Sequence, residues 1–559
     1  MGTISDKLMR IINTKEDIRQ ALISKGYDVP TSIPFKEYAK MILDLPCNAD
    51  SFPDIEGIVA RYSASGLTNE QMAANPVWVD KTGNGHDLQM KNLSWKGMSG
   101  VGGYGDENHQ TFYKFTLDDY VFIATPPGVK HMNFTFRVTG LQPGNKLTLA
   151  FFGTTNTVYG TWDKDGIYTV NSAVVEVGKP VYFYNGYGAT RGEFTIEILP
   201  LYPGALVFDG VDDYGVCDNF PILTKEKGYT VVALRQWIEE KNDSTALVSN
   251  CKNWGQDGAF LFEYNNLRIN FLNVAISFGH VSSVDRGKSP FSYQTSKLYN
   301  GKNIEPGSFI GSNELVVGKG NKDFPTVSKV AIWELIILDH DATEEELTKI
   351  KDYFVKTYPW LFPDQAWTVV GKTNEDKDRA TIANITGNGN DLILSNFGFI
   401  EGSGYNEEGE YAGYLVTDGV DDKAVSKQFK FGKNFTVILD FKFPVKKISY
   451  CGFDLSSKVR IQNLQGSGVY VVLKGNKTLI PSNVVRAVTS EGKVYDENWN
   501  EYNIVPGNIS SNYTMVNLGF DGSNQFAESA TKLAGIYSSA LSKDDCIKAY
   551  NYLQTLKSK

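Results

Sequence analysis

The sequence predicts a mainly β chain. Two β-sandwiches of one kind follow a short α-helical N-terminal segment, and the first sandwich carries an inserted one. Three observations predict this. Part of the chain is repeated: Thr82-Gly-Asn-Gly85 returns as Thr386-Gly-Asn-Gly389, and Asp209-Gly-Val-Asp-Asp213 returns as Asp418-Gly-Val-Asp-Asp422, in the same order. The composition holds 30 Tyr, 32 Phe and 53 Gly in 559 residues, and aromatic residues favour strands while glycine favours the turns between them. Residues 1–47 alone show helical spacing of apolar residues.

The N-terminal segment reads as two helices. Thr14 and Asp17 form a capping-box pattern, Ile18, Ala21 and Leu22 fall on one face, and Gly26 stands where the helix stops. Pro30 and Pro34 bracket a turn, and Phe35, Tyr38, Ala39 and Ile42 follow the i, i+3, i+4, i+7 pattern before Pro46. So short a segment cannot bury enough apolar surface alone. Ile18, Leu22, Phe35, Tyr38 and Ile42 are therefore the expected anchor residues. They would pack on copies of the chain or on a partner, the alternative being its own first domain.

The first sandwich is expected over 48–103 and 204–362, and the second over 363–559. From Thr386 to Asp418 is 32 residues, but from Thr82 to Asp209 is 127. The excess is expected as a guest sandwich, 104–203, since surface loops tolerate insertions whose ends lie close together. Its strand signals are Thr111–Thr116, His131–Val138, Lys146–Phe152 and Glu193–Leu199, punctuated by Pro143-Gly-Asn145 and Asp165-Gly166. Each copy closes with a strand and a capped helix. Lys329–Leu335 is followed by Thr343 and Glu346, with Leu347, Ile350 and Phe354 on the buried face. Lys532–Tyr537 is followed by Ser542 and Asp545, with Ile547, Tyr550 and Leu553.

A net charge of −9 and the absence of basic runs argue against nucleic-acid binding. No apolar run approaches a membrane span, and the start lacks a signal-peptide core. The cysteines, Cys47, Cys217, Cys251, Cys451 and Cys546, are odd in number and scattered. They are expected as free thiols of a protein assembled under reducing conditions.

The strand-turn Val207-Phe-Asp-Gly-Val-Asp-Asp-Tyr214, its diverged copy Val416-Thr-Asp-Gly-Val-Asp-Asp422, and the closing helices Ala342–Leu347 and Leu541–Ile547 resemble the laminin-G-like, concanavalin A-type jelly-roll superfamily. The resemblance covers about 54–103 and 204–559 and implies two concanavalin A-like jelly rolls. It does not imply one ligand, because lectins, glycanases and inert modules share the fold. Gly26-Tyr-Asp-Val-Pro-Thr-Ser-Ile-Pro-Phe-Lys-Glu-Tyr-Ala-Lys-Met-Ile42 resembles the N-terminal segment of phage virion proteins. That resemblance implies a head or tail fibre, assembled in the host cytoplasm and localised to the virion. It would be a homo-oligomer, expected as a trimer, joined to capsid or tail proteins through 1–47.

No catalytic residue is expected. Glycanases of this fold carry an E-x-D-x-x-E strand, which is missing here, and Glu193 and Glu197 read as a solvated face. The five histidines lack metal-ligand spacing, and no nucleophile elbow, P-loop or dinucleotide fingerprint stands in a suitable context. Asp209, Asp212 and Asp213, with Asp418, Asp421 and Asp422, are read as hydrogen-bonded turns, with calcium as the alternative. No cofactor is expected. Host or mucosal glycans are possible partners through Tyr184, Tyr187 and Trp254, in the segments Tyr182–Tyr187 and Lys252–Gly255 taken as loops. The alternative is a secreted or surface bacterial protein that binds or degrades glycans.

Overall fold

The computed structural model describes Lys15, Arg19 and residues 52–558, apart from 105–111, 116–119, 124–130, 153–155, 175–180, 186–193, 225, 240–244, 254–256, 264–288, 304–311, 324–325, 409–410, 444–448, 457, 464–468, 483, 508–512 and 521–525. Lys15 and Arg19 are helical. The anchor residues Ile18, Leu22, Phe35, Tyr38 and Ile42 lie outside the described residues.

The chain divides into two compact units. One comprises residues 1–55 with 345–353; within it Phe52 meets the Tyr353 ring edge-on at 5.0 Å. The other comprises residues 56–344 with 354–559 and holds the sheets. It is mainly β, and its strand pairings are antiparallel.

In the first jelly roll, an eight-stranded sheet runs through Phe291–Thr295, Thr230–Glu239, Lys329–Leu338 and Leu206–Asp209, with Ile58–Ser63 also paired to Lys329–Leu338. A six-stranded sheet carrying Val248–Asn253, Leu315–Val317, Tyr214–Cys217 and Leu88–Lys91 lies opposite. In the second jelly roll, Thr436–Lys442, Glu528–Tyr537 and Tyr414–Asp418 stand in the same order, with Gln365–Thr368 paired to Glu528–Tyr537. The registers correspond: Thr230 opposes Leu338 and Asp209 opposes Lys329, as Thr436 opposes Tyr537 and Asp418 opposes Glu528.

Burial follows side-chain alternation where one face meets water. Val459–Asn463 and Val469–Leu473 alternate between buried and half-buried, as a period-2 element must. The central strands Lys329–Leu338 and Glu528–Tyr537 are buried at nine of ten positions, because both their faces are covered. One core gathers Tyr62, Trp78, Phe208, Phe260 and Ile332; the other gathers Trp367, Phe435, Phe453 and Ile536. Each fully buried Phe or Leu contributes about 1.5–3 kcal/mol.

The guest segment forms two four-stranded sheets around Phe136, Leu149, Tyr168, Phe183 and Ile196. The order is Gly166–Val174, His131–Thr139, Phe194–Leu199, Phe112–Phe115 in one and Tyr120–Ile123, Val181–Asn185, Leu147–Phe152, Asn156–Trp162 in the other. Tyr182–Asn185 is therefore strand rather than loop. Val181 and Phe183 turn into the core, and Tyr182 and Tyr184 stand half-buried on the other face.

The second closing helix, Lys543–Thr555, begins where its capping box places it. Ser542 Oγ accepts the Asp545 N–H at 3.1 Å and donates to the Asp545 carboxylate at 2.8 Å. It lies against Glu528–Tyr537 at Gly535, where an added Cβ would meet Leu553 Cδ1 at 2.5 Å or less. Thr230 and Thr436 hold the strand-to-helix corners alike. Each hydroxyl donates to a carbonyl (His340, 2.7 Å; Ser539, 2.8 Å) and accepts an N–H (Ala342, 2.7 Å; Leu541, 2.8 Å). Among the described residues, no helix is long and apolar enough to cross a membrane.

Candidate functional site

The repeated acidic turns are the polar groups both copies share, and they are built alike. Asp209 N–H donates to Asp213 Oδ2 at 2.9 Å, and Val211 N–H donates to Asp209 Oδ1 at 2.7 Å. In the second copy Asp418 N–H donates to Asp422 Oδ2 at 2.9 Å, and Val420 N–H to Asp418 Oδ1 at 2.8 Å. The other oxygen of each inner carboxylate accepts a serine hydroxyl, Ser99 at 3.0 Å and Ser403 at 3.1 Å. Asn92 and Asn396 each donate to the third turn carbonyl, of Asp212 and Asp421, at 3.0 Å. Gly210 and Gly419 take φ of +78° and +76° at the tip, where a side chain would meet Lys329 or Glu528.

The serines belong to a repeated loop that the sequence reading missed. Ser99 Oγ accepts the Ser94 N–H at 2.8 Å, and Ser403 Oγ accepts the Gly398 N–H at 2.8 Å. Between them Trp95 and Phe399 adopt φ of +56° and +50°, a strained state for aromatic residues that surrounding contacts must hold. The signal was present, as Asn-x-x-aromatic followed by Ser-Gly: Asn92, Trp95, Ser99 and Gly100 against Asn396, Phe399, Ser403 and Gly404. It is faint because the residues between differ.

The Thr-Gly-Asn-Gly turns are equally alike. Thr82 N–H donates to Asp80 Oδ1 and Thr386 N–H to Asn384 Oδ1, each at 3.0 Å. Asn84 and Asn388 reach the carbonyls of Val59 and Asp364 at 3.2 and 2.6 Å.

Burial pushes the Asp213 carboxyl up to about 7 and the Asp422 carboxyl up to about 6; the neighbouring aspartates add to this, and the N–H and serine donors oppose it. Each aspartate triplet has ligand atoms within 4.8 Å of one another. Calcium takes six to eight oxygens. Here the buried carboxylate of each triplet already accepts a backbone and a serine donor, so the groups fit turns that hold themselves.

Three further carboxylates are buried under several donors each. Glu263, at φ +52°, accepts Arg235 Nε at 2.8 Å, Trp237 Nε1 at 2.6 Å, Ser292 Oγ at 2.6 Å and Tyr299 OH at 3.1 Å. Glu334 accepts Ser63 and Tyr358 hydroxyls, both at 2.7 Å, and pairs with Arg61 at 3.4 Å. Asp440 accepts Tyr414 at 2.8 Å, Tyr550 at 3.1 Å and Gln554 at 2.9 Å, and pairs with Arg486. Burial by itself would raise the Asp440 carboxyl, but the Arg486 and Lys532 charges outweigh it and hold it well below the usual carboxylate range. These positions were not singled out from sequence, since an isolated Glu or Asp in a strand carries no local signal of burial. Glu197 pairs with Arg137 at 2.6 Å, both partly exposed.

Of the residues expected to contact glycans, Tyr184 stands beside Tyr182 with ring centroids 6.0 Å apart. In the same sheet Tyr184 opposes Thr148, which opposes Thr161. Tyr187 and Trp254 lie outside the described residues. Cys217, Cys251, Cys451 and Cys546 are buried free thiols, and Cys47 lies outside the described residues.

No family model matches the chain, and no curated protein matches it. Among solved structures, Trypanosoma rangeli sialidase aligns at 9% identity and a TM-score of 0.25, over 46% of this chain and 48% of the sialidase. The chain thus spans about half the length of that structure. The same sialidase with sialic acid aligns at 8% identity and a TM-score of 0.25, over 79% of this chain and 82% of that one. Likeness at this level carries no argument about function.

Proposed function

We propose that this chain is a non-enzymatic appendage protein of a phage virion, a head or tail fibre. Residues 1–47 join it to its own copies, as a trimer, and to capsid or tail proteins. Its lectin-like sandwiches project outward and contact host or mucosal glycans. One observation carries the non-enzymatic part of this reading: the polar groups shared by both jelly rolls hold backbone turns and strained loops in place. Duplication has kept a scaffold. The virion part rests on the resemblance of Gly26–Ile42 to phage virion proteins.

Linked copies bind through avidity, several weak sites acting together. Tyr182 and Tyr184 suit a weak site, since half-exposed rings can stack on sugar faces with threonine hydroxyls nearby. Light scattering on the full chain and on a chain lacking residues 1–47 tests the anchor. The expected result is a trimer that becomes a monomer; an unchanged oligomer would refute the anchor role. A glycan array, read with wild type and Tyr184→Ala, tests binding. Hydrolysis of any glycan in a panel would replace the fibre reading with a glycanase.

A further inference from the structure

The two closing helices differ in how much of their surface is covered. On Glu344–Thr357, the residues Thr348, Lys349, Lys351, Asp352, Val355 and Lys356 are exposed. On Lys543–Thr555, every residue from Ala549 to Leu553 is buried. Five consecutive buried positions span more than one turn of 3.6 residues. A helix buried all round has neighbours on every side.

The inner neighbours belong to its own jelly roll. Leu553 sits on Gly535, Tyr550 and Gln554 donate to Asp440, and the Trp499 ring meets Tyr550 at 5.8 Å. The outer neighbours belong to the other two β-units. Asn551 Oδ1 accepts the Thr135 hydroxyl of the guest sandwich at 3.1 Å. Thr555 Oγ1 accepts Gln236 Nε2 of the first jelly roll at 2.6 Å. Thr135, Gln236 and Asn551 are each at most 9% exposed, so water competes poorly for these bonds.

We infer that helix Lys543–Thr555 couples all three β-units of the second compact unit, so that they unfold and move as one body. Such a block transmits load without bending between sandwiches. The inference rests on the fold alone and stands or falls independently of the virion reading.

The test is calorimetry and X-ray scattering on the full chain. Wild type is expected to show one cooperative transition for the three β-units. Asn551→Arg with Thr555→Arg places two charges in the covered face. It is expected to split the transition into two or more and enlarge the radius of gyration. Should that variant fail to fold, Thr135→Val with Gln236→Leu removes both bonds without adding bulk. Limited proteolysis of the guest sandwich is then expected to speed up about tenfold, the factor for two modest hydrogen bonds. Separate transitions in wild type, or unchanged proteolysis in the milder pair, would overturn the coupling.

Discussion

Replacing Asp213 by asparagine asks whether the acidic turn needs its charge. The Asp213 side chain is fully buried. Its carboxyl moves from 3.8 to about 7 on folding. At about 1.4 kcal/mol per tenfold, this corresponds to about 4 kcal/mol, an upper figure, between protonated and charged forms. The folded state binds the proton more tightly than the unfolded chain. The stabilisation is therefore complete below about pH 4 and is lost as pH rises through about 7. Asp213→Asn keeps an oxygen for the Asp209 N–H and turns an NH2 toward Ser99 Oγ, which can accept it. The variant should match or exceed wild-type stability at pH 8.5 and lose the pH dependence. Asp213→Ala should cost about 1–3 kcal/mol at all pH values, because the Asp209 N–H loses its partner. The assay is urea unfolding followed by tryptophan fluorescence at pH 5, 7 and 8.5, with and without calcium. If Asp213→Asn falls as far as Asp213→Ala at pH 8.5, and calcium raises the wild-type midpoint alone, the turn is a cation site and the reasoning fails.

Glu263→Gln should destabilise by about 3–5 kcal/mol in the same assay, because Arg235 is left buried without its counter-charge; Arg235→Met with Glu263→Met should cost less than the single change. Gly535→Ala should cost about 1–3 kcal/mol by overpacking against Leu553, with partial rescue by Leu553→Ala; an additive double variant would count against the close approach. Ser542→Ala should cost about 1 kcal/mol through loss of the helix cap, read as a lowered thermal midpoint. Asp440 shifts opposite to Asp213. Its contribution is present above about pH 4 and is lost as acid protonates it, so Asp440→Asn should flatten the acid limb of the stability profile.

The legible parts of the fold were those governed by local chemistry. Asp-Gly and Thr-Gly-Asn-Gly turns need glycine where φ is positive, so duplicated turns announced duplicated sandwiches at Asp209–Asp213 and Asp418–Asp422. Ser542 and Asp545 announced the start of a helix because a cap is made within one turn. Tyr182–Asn185 was misread as loop. Its tyrosines outweighed the alternation of Val181 and Phe183, which becomes decisive only once a second sheet supplies a core to face.

What sequence could not determine depends on residues far apart in the chain. Arg235 and Glu263 are 28 positions apart, and Arg61 and Glu334 are 273 apart. Nothing near either residue says that it will leave water. The coupling of Thr135 to Asn551 spans 416 positions and exists only because three sandwiches pack round one helix. Local sterics and capping chose the modules. Burial, a property of the assembled chain alone, chose which charges pair and which helix is enclosed.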